Sequence, residues 1–213
     1  MKHLTKLFHL LEITRNQPQY GYAIWGGNVR MGNLAEHHYM VAMVAWQLAS
    51  SVNAAGAHLD IGKVFEFASI HDIGELFGGD ISMPYAKANP KARSFAKQFE
   101  AENHNYIARF FGPQAKHFSE LSAEILEADS DEARIVKVAD YLEVTHYKFF
   151  IGRFVTADIE LVSKKLDDMI GGMKDEVAKK ELASFIKDWK KDMESTVSYP
   201  DTIHDIISSS KAD

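Results

Sequence analysis

Apolar residues recur three and four positions apart along almost the whole chain, and no stretch shows the strict alternation of a half-buried strand. A chain patterned this way closes its core by laying helix on helix. The run Val41, Ala42, Val44, Ala45, Leu48, Ala49 follows Asn33 and Glu36, whose separation suits a capping box, so a helix is expected from about Asn33 to Val52. Asp60 can cap a second helix in which Ile61, Val64, Phe65, Ala68, Ile73, Leu76 and Phe77 supply the buried side until Gly78-Gly79 ends it. Asn89-Pro90 opens a third, reaching Phe111 before Gly112-Pro113. Others are expected from Leu4 to Thr14, Gln114 to Glu127, Asp158 to Ile170 and Asp175 to Ser195. Ser130, Asp131 and Glu132 open one more, because a capping oxygen and early acids complement the positive helix end. The expected architecture is all-α, a single domain over residues 1–213, with a polar, frayed end from Ser208 to Asp213.

The 213 residues suffice to bury a core without a disulfide or partner. A net charge of −6, with basic residues dispersed, argues against a nucleic-acid partner. There are no cysteines, so any metal must take nitrogen and oxygen ligands, and a reducing compartment fits. No stretch approaches the roughly 18 apolar residues of a spanning helix, and the start lacks a leader pattern, so no membrane partner and a cytoplasmic protein are expected.

Four groups sit where an apolar helix should have none. His71-Asp72-Ile73-Gly74-Glu75 interrupts the second helix, His37 lies one turn into the first, and Asp140 breaks the stripe Ile135, Val138, Ala139, Leu142. Buried charges are costly unless paired or bound to metal, and one divalent ion held by imidazole and carboxylate would satisfy all four. The mixed donor set favours a transition metal (manganese, cobalt, iron, zinc or nickel) over magnesium or calcium. On a continuous helix Glu75 would share a sector with His71 and Asp72, which suits a proton carrier.

The order His37, His71-Asp72, Asp140 resembles the HD-domain phosphohydrolases. Two strings, Asn33-Leu34-Ala35-Glu36-His37 followed by Val41-Ala42-Met43-Val44-Ala45, and His71 through Gly78-Gly79-Asp80-Ile81, are similar to the branch containing the bacterial 5'-deoxynucleotidases. The likeness covers about residues 25–150 and implies an HD-type helical bundle with extra helices over about 155–200. It implies that His37, His71, Asp72 and Asp140 hold the metal, that Glu75 handles the proton of an attacking water, and that Asp80 contacts the sugar hydroxyl. Arg30, seven residues before His37, is a candidate phosphate contact through its forked guanidinium. The implied reaction is hydrolysis of a nucleoside monophosphate to nucleoside and phosphate by a homodimer. Two alternatives stand beside it: hydrolysis of a triphosphate, cyclic or signalling nucleotide, and a non-catalytic metal-containing binding module. One departure is clear: that branch carries an Arg-Trp pair where this chain has Tyr22 and Ala23, so sugar and phosphate preference stay open. His38 projects about 100° from His37 and should miss the ion. His104, Tyr106, His146, Tyr147 and the three tryptophans are expected to be packing or surface positions.

Overall fold

The computed structural model describes residues 2–25, 31–196 and 198–209. Ten α-helices follow in order among the described residues: α1 (Lys2–Leu11), α2 (Leu34–Ala54), α3 (Ile61–Ile70), α4 (Met83–Ala88), α5 (Pro90–Ala108), α6 (Ala115–Glu127), α7 (Asp131–Phe150), α8 (Ala157–Gly171), α9 (Glu176–Ser195) and α10 (Tyr199–Ser209). There is no β-strand among the described residues, only an isolated bridge between Pro18 and Asn33. No described helix is long and apolar enough to cross a membrane.

Helix starts follow local chemistry. The side chains of Asn33, Asp60, Asn89, Ser130 and Asp175 each accept a hydrogen bond from a backbone N–H of the first turn, at 2.9 to 3.2 Å. Helix α7 lies against α2, α3 and α8, while α9 packs on α2 and α8. One continuous apolar core runs through them from Val41 to Met193, with Phe67, Phe118, Leu166 and Leu182 wholly or almost wholly buried. A buried ion pair joins α7 to the start of α8: Lys148 Nζ donates to Asp158 Oδ1 at 2.6 Å, and Asp158 Oδ2 accepts from the Val155 N–H at 3.0 Å. Asp158 thus fixes the bend and the direction of α8 together.

One expected helix is broken. Periodicity carries it from Ile61 to Phe77, but α3 stops at Ile70, and after the turn at His71 and Asp72 a 3₁₀ helix takes over from Ile73 to Phe77. Asp72 leaves the helical region at φ −120°, ψ 16°, and the Glu75 N–H closes back on the Asp72 carbonyl at 2.9 Å. The cause is the neighbour. The backbone at Gly74 lies so close to α5 that a Cβ there would fall 2.5 Å from the His104 ring and 2.8 Å from the Glu100 carbonyl oxygen. Asn103 fixes the approach by donating to the Gly74 carbonyl at 2.6 Å. Gly78 and Gly79 then take φ of 97° and 109°, which lets the chain leave the turn. Gly74→Ala is expected to lower stability by about 1–3 kcal/mol through overpacking, read as an earlier urea midpoint with unchanged slope. A midpoint equal to that of the parent protein would mean that the contact is not tight.

The other departures are short. The N-terminal helix ends at Leu11 and continues as a 3₁₀ turn, Glu12–Arg15. A 3₁₀ segment, Tyr20–Trp25, and helices α4 and α10 were not expected; α10 reaches Ser209, so the first part of the expected frayed end is helical. Residues 210–213 lie outside the described residues.

Candidate metal centre and its cleft

Helices α2 and α7 and the turn after α3 each deliver groups to one point. One ligand atom from each of His37, His71, Asp72 and Asp140 lies within 4.8 Å of all the others. The imidazole Nε2 atoms of His37 and His71 are 3.1 Å apart. His37 Nε2 is 3.4 Å from Asp72 Oδ2 and 3.4 Å from Asp140 Oδ1, and His71 Nε2 is 3.5 Å from Asp72 Oδ2. Donors about 2.0–2.2 Å from a common cation sit about 3.0–3.5 Å from one another on adjacent positions, so the spacing suits a shared ion.

The outer faces of the two imidazoles strengthen that fit. The Ala68 carbonyl can only accept, so the His71 Nδ1 at 2.9 Å carries the proton and its Nε2 presents a lone pair. His37 Nδ1 is 2.7 Å from the buried carboxylate of Glu143, which orders that ring in the same way. Two lone pairs and two carboxylates converging in a buried place call for positive charge. The electrostatics agree. Burial opposes a charged His37, yet hydrogen bonds with Asp140, Asp72 and Glu143 outweigh it and hold the imidazole well above its ordinary value. Burial likewise pushes Asp72 up, but His71, the hydrogen bond from His37 and the Lys137 ammonium hold it well below the usual carboxylate range. Glu143, unrecognised in the sequence, is legible only through contact, because its spacing from Asp140 reads as one more turn of α7. Glu143→Gln is expected to weaken metal binding about 10- to 100-fold, measured by competition with a metal-sensitive dye. An unchanged affinity would show that His37 is oriented without it.

The cleft beside the quartet, about 280 Å³, is lined among others by Tyr22, Glu75, Asp80, Glu100, Lys137 and Tyr141. Glu75 reaches it by the 3₁₀ turn, so the expected neighbourhood holds although the expected helix does not. Burial, then the charges of Asp72, Asp80 and Glu100, raise its carboxyl well above the ordinary range. Asp80 also lines the cleft and accepts a short hydrogen bond from the Gly21 N–H, which ties the Tyr20–Trp25 segment to the mouth. Burial raises Asp80 too, against the pull of that bond. Glu100, which the sequence reading passed over, is pushed up to about 7 by burial and by Asp72. Lys137, also missed, sits 4.0 Å from Asp72 Oδ1; burial opposes its charge, but Asp72, Asp140 and Glu100 raise it above the ordinary lysine value. Its position three residues before Asp140 was the available signal. Arg30 lies outside the described residues. Tyr22 is buried in the cleft wall, edge-on to Tyr147 with ring centroids 5.0 Å apart.

The remaining candidates fall outside the quartet. His38 packs its ring 4.9 Å from that of His71, and His104 bonds Ser122 at 3.0 Å. His146 accepts from the indole of Trp189 at 2.9 Å.

Residues 24–148 match a family model described as 5'-deoxynucleotidase YfbR-like. The chain belongs to that family. Membership makes this YfbR-like protein a phosphohydrolase of the 5'-nucleotidase type, with the His and Asp cluster able to hold its metal. A 5'-deoxynucleotidase of Pasteurella multocida is 27% identical over 166 residues, covering 78% of this chain and 77% of that protein. One from Vibrio vulnificus is 29% identical over 114 residues, covering 53% of this chain and 59% of the relative. In fold, the YfbR-like chain is similar to a conserved hypothetical protein from Pyrococcus furiosus, with a TM-score of 0.67 at 21% identity over 86% of this chain and 98% of that one. A Pyrococcus horikoshii structure gives a TM-score of 0.56 at 23% identity, over 89% and 97%. The HD-type helical bundle expected from the sequence is the fold that these neighbours share.

Proposed function

We propose that this YfbR-like protein, acting as one domain over residues 1–213, is a metal-dependent 5'-nucleotidase that converts nucleoside 5'-monophosphates, ribo or deoxyribo, into nucleoside and phosphate. The observation that carries the reading is the convergence of His37, His71, Asp72 and Asp140 on one point at the floor of a cleft that also receives Glu75 and Lys137. His37, His71, Asp72 and Asp140 would hold a divalent transition-metal ion, which would supply Lewis acidity toward water and phosphate oxygen. Glu75, raised by its surroundings, takes the proton of the attacking water and can return it to the departing sugar oxygen. Lys137 offers its ammonium to a phosphoryl oxygen as the P–O bond to the sugar breaks. Asp80 accepts from a sugar hydroxyl with the carboxylate edge that Gly21 leaves exposed. Arg30 stays a proposed phosphate contact.

The test is a metal-supplemented panel of ribo- and deoxyribonucleotides of each phosphate number, with phosphate separated from larger products. Release of inorganic phosphate from 5'-monophosphates, lost on chelation and restored by added metal, is the expected result. Pyrophosphate or triphosphate as the main product would replace this reading by the nucleotide-triphosphate alternative. Exposed Met40 and Phe150 line one apolar hollow with Tyr199, which supports a homodimer; sedimentation at the monomer mass would refute that part.

A further inference from the structure

The metal cleft does not end at Asp80. It opens into a second chamber of about 570 Å³, and Glu75, Asp80, Ile81, Met83, Glu100, Tyr141 and Leu161 line both. The balance of charge on the wall shifts between them, from an excess of carboxylates in the inner cleft to a small excess of cations in the outer one. The outer chamber adds Lys87 from α4, Arg93 and Lys97 from α5, and Lys164 and Lys165 from α8, with Asp168 as the added acid. Arg93 and Lys97 are one helical turn apart, so they share a face. None of the five cations forms an ion pair among the described residues. The chamber sets these five cations from three helices against four carboxylates, Glu75, Asp80, Glu100 and Asp168, none of which pairs with any of them among the described residues, so a bound anion would find unpaired positive charge there. Like-charge repulsion registers on Lys165: burial, then the charge of Arg93, with Lys97 and Lys164 adding, press its ammonium below the ordinary value against the pull of Asp168.

We propose that the outer chamber binds a second phosphate of the substrate, separated from the scissile one by the sugar. The preferred substrate class is then a nucleoside carrying a phosphate at both the 5' and 3' positions. The spacing follows from the order of charges along the cleft. Asp80 and Glu100 line both cavities and so stand at their junction, where a carboxylate accepts from the remaining sugar hydroxyl and repels phosphate; the quartet with Lys137 lies on the inner side and the five further cations on the outer. Two directly linked phosphates would place the second among those acids, whereas phosphates on opposite sides of the ribose place one at each basic or metal-binding end.

The inference rests on the nucleotidase reading, and the experiment separates the two. Initial rates with the metal-loaded enzyme are compared for adenosine 5'-monophosphate, 5'-diphosphate and 3',5'-bisphosphate. Binding of the same three compounds is measured by calorimetry on metal-loaded Glu75→Gln protein. The expected result is a KM and a Kd about tenfold or more lower for the bisphosphate than for the monophosphate, as a charge-assisted contact implies. The double variant Arg93→Gln/Lys165→Gln should erase that preference while leaving the monophosphate constants within about twofold. Equal constants for mono- and bisphosphate would overturn the proposal. So would an equal loss on both substrates in the variant, which is general electrostatic attraction, or the same gain with the diphosphate, which removes the sugar-spaced geometry. Selective binding of the bisphosphate without phosphate release from any compound would keep the chamber and refute the nucleotidase reading instead.

Discussion

Exchanging Glu75 for glutamine is expected to cut phosphate release by about a hundred- to ten-thousand-fold, with one metal ion still bound per chain and an unchanged circular-dichroism spectrum. The side chain lines the cleft and is not one of the four converging donors, so its removal leaves the cation's surroundings intact. Its carboxyl is raised by burial and by three neighbouring acids, which makes it a better proton acceptor than an ordinary carboxylate. Glutamine keeps the size and loses the titration. If the variant turns over at the parent rate, the proton is handled by another group, and Glu100, pushed up to about 7 in the same cleft, is the next to test.

The second large effect is expected from His71→Ala. This imidazole is wholly buried, with one nitrogen committed to the Ala68 carbonyl and the other 3.1 Å from its counterpart on His37. Without it, Asp72 and Asp140 face the cleft with one imidazole between them. Metal affinity should fall by at least about a hundredfold and activity with it, both read by titrating metal into chelated protein. His38→Gln is the control: its ring packs against His71, but His38 contributes no donor to the quartet, so metal content should stay at the parent level. Full metal occupancy in His71→Ala would show that the convergence does not form the ion's home.

The two variants also mark how far the chain could be read before it was folded. The four donors were legible because each violates a strong local pattern: a histidine or aspartate in an apolar stripe needs compensation wherever the helix lies. The caps at Asn33, Asp60, Asn89 and Ser130 were legible for the same local reason. The break at His71 was not. Its cause is the close passage of Gly74 across α5, a contact between residues 30 positions apart that no periodicity records. Glu143, Glu100 and Lys137 were hidden differently, since charged residues on α5 and α7 read as solvent-facing until the neighbouring helices close over them. Tyr22 was noticed only as a departure from the related pattern, and its place in the cleft wall came from the short segment tied to Asp80.

The buried pair between Lys148 and Asp158 has a further consequence. The stretch matched by the family model ends at residue 148, and this pair clamps the following helix so that Leu161, Lys164 and Lys165 close one side of the cavity. The converging quartet therefore lies inside that stretch, whereas one side of the outer chamber comes from beyond it, seated by this ion pair together with the buried Ile159, Val162 and Leu166.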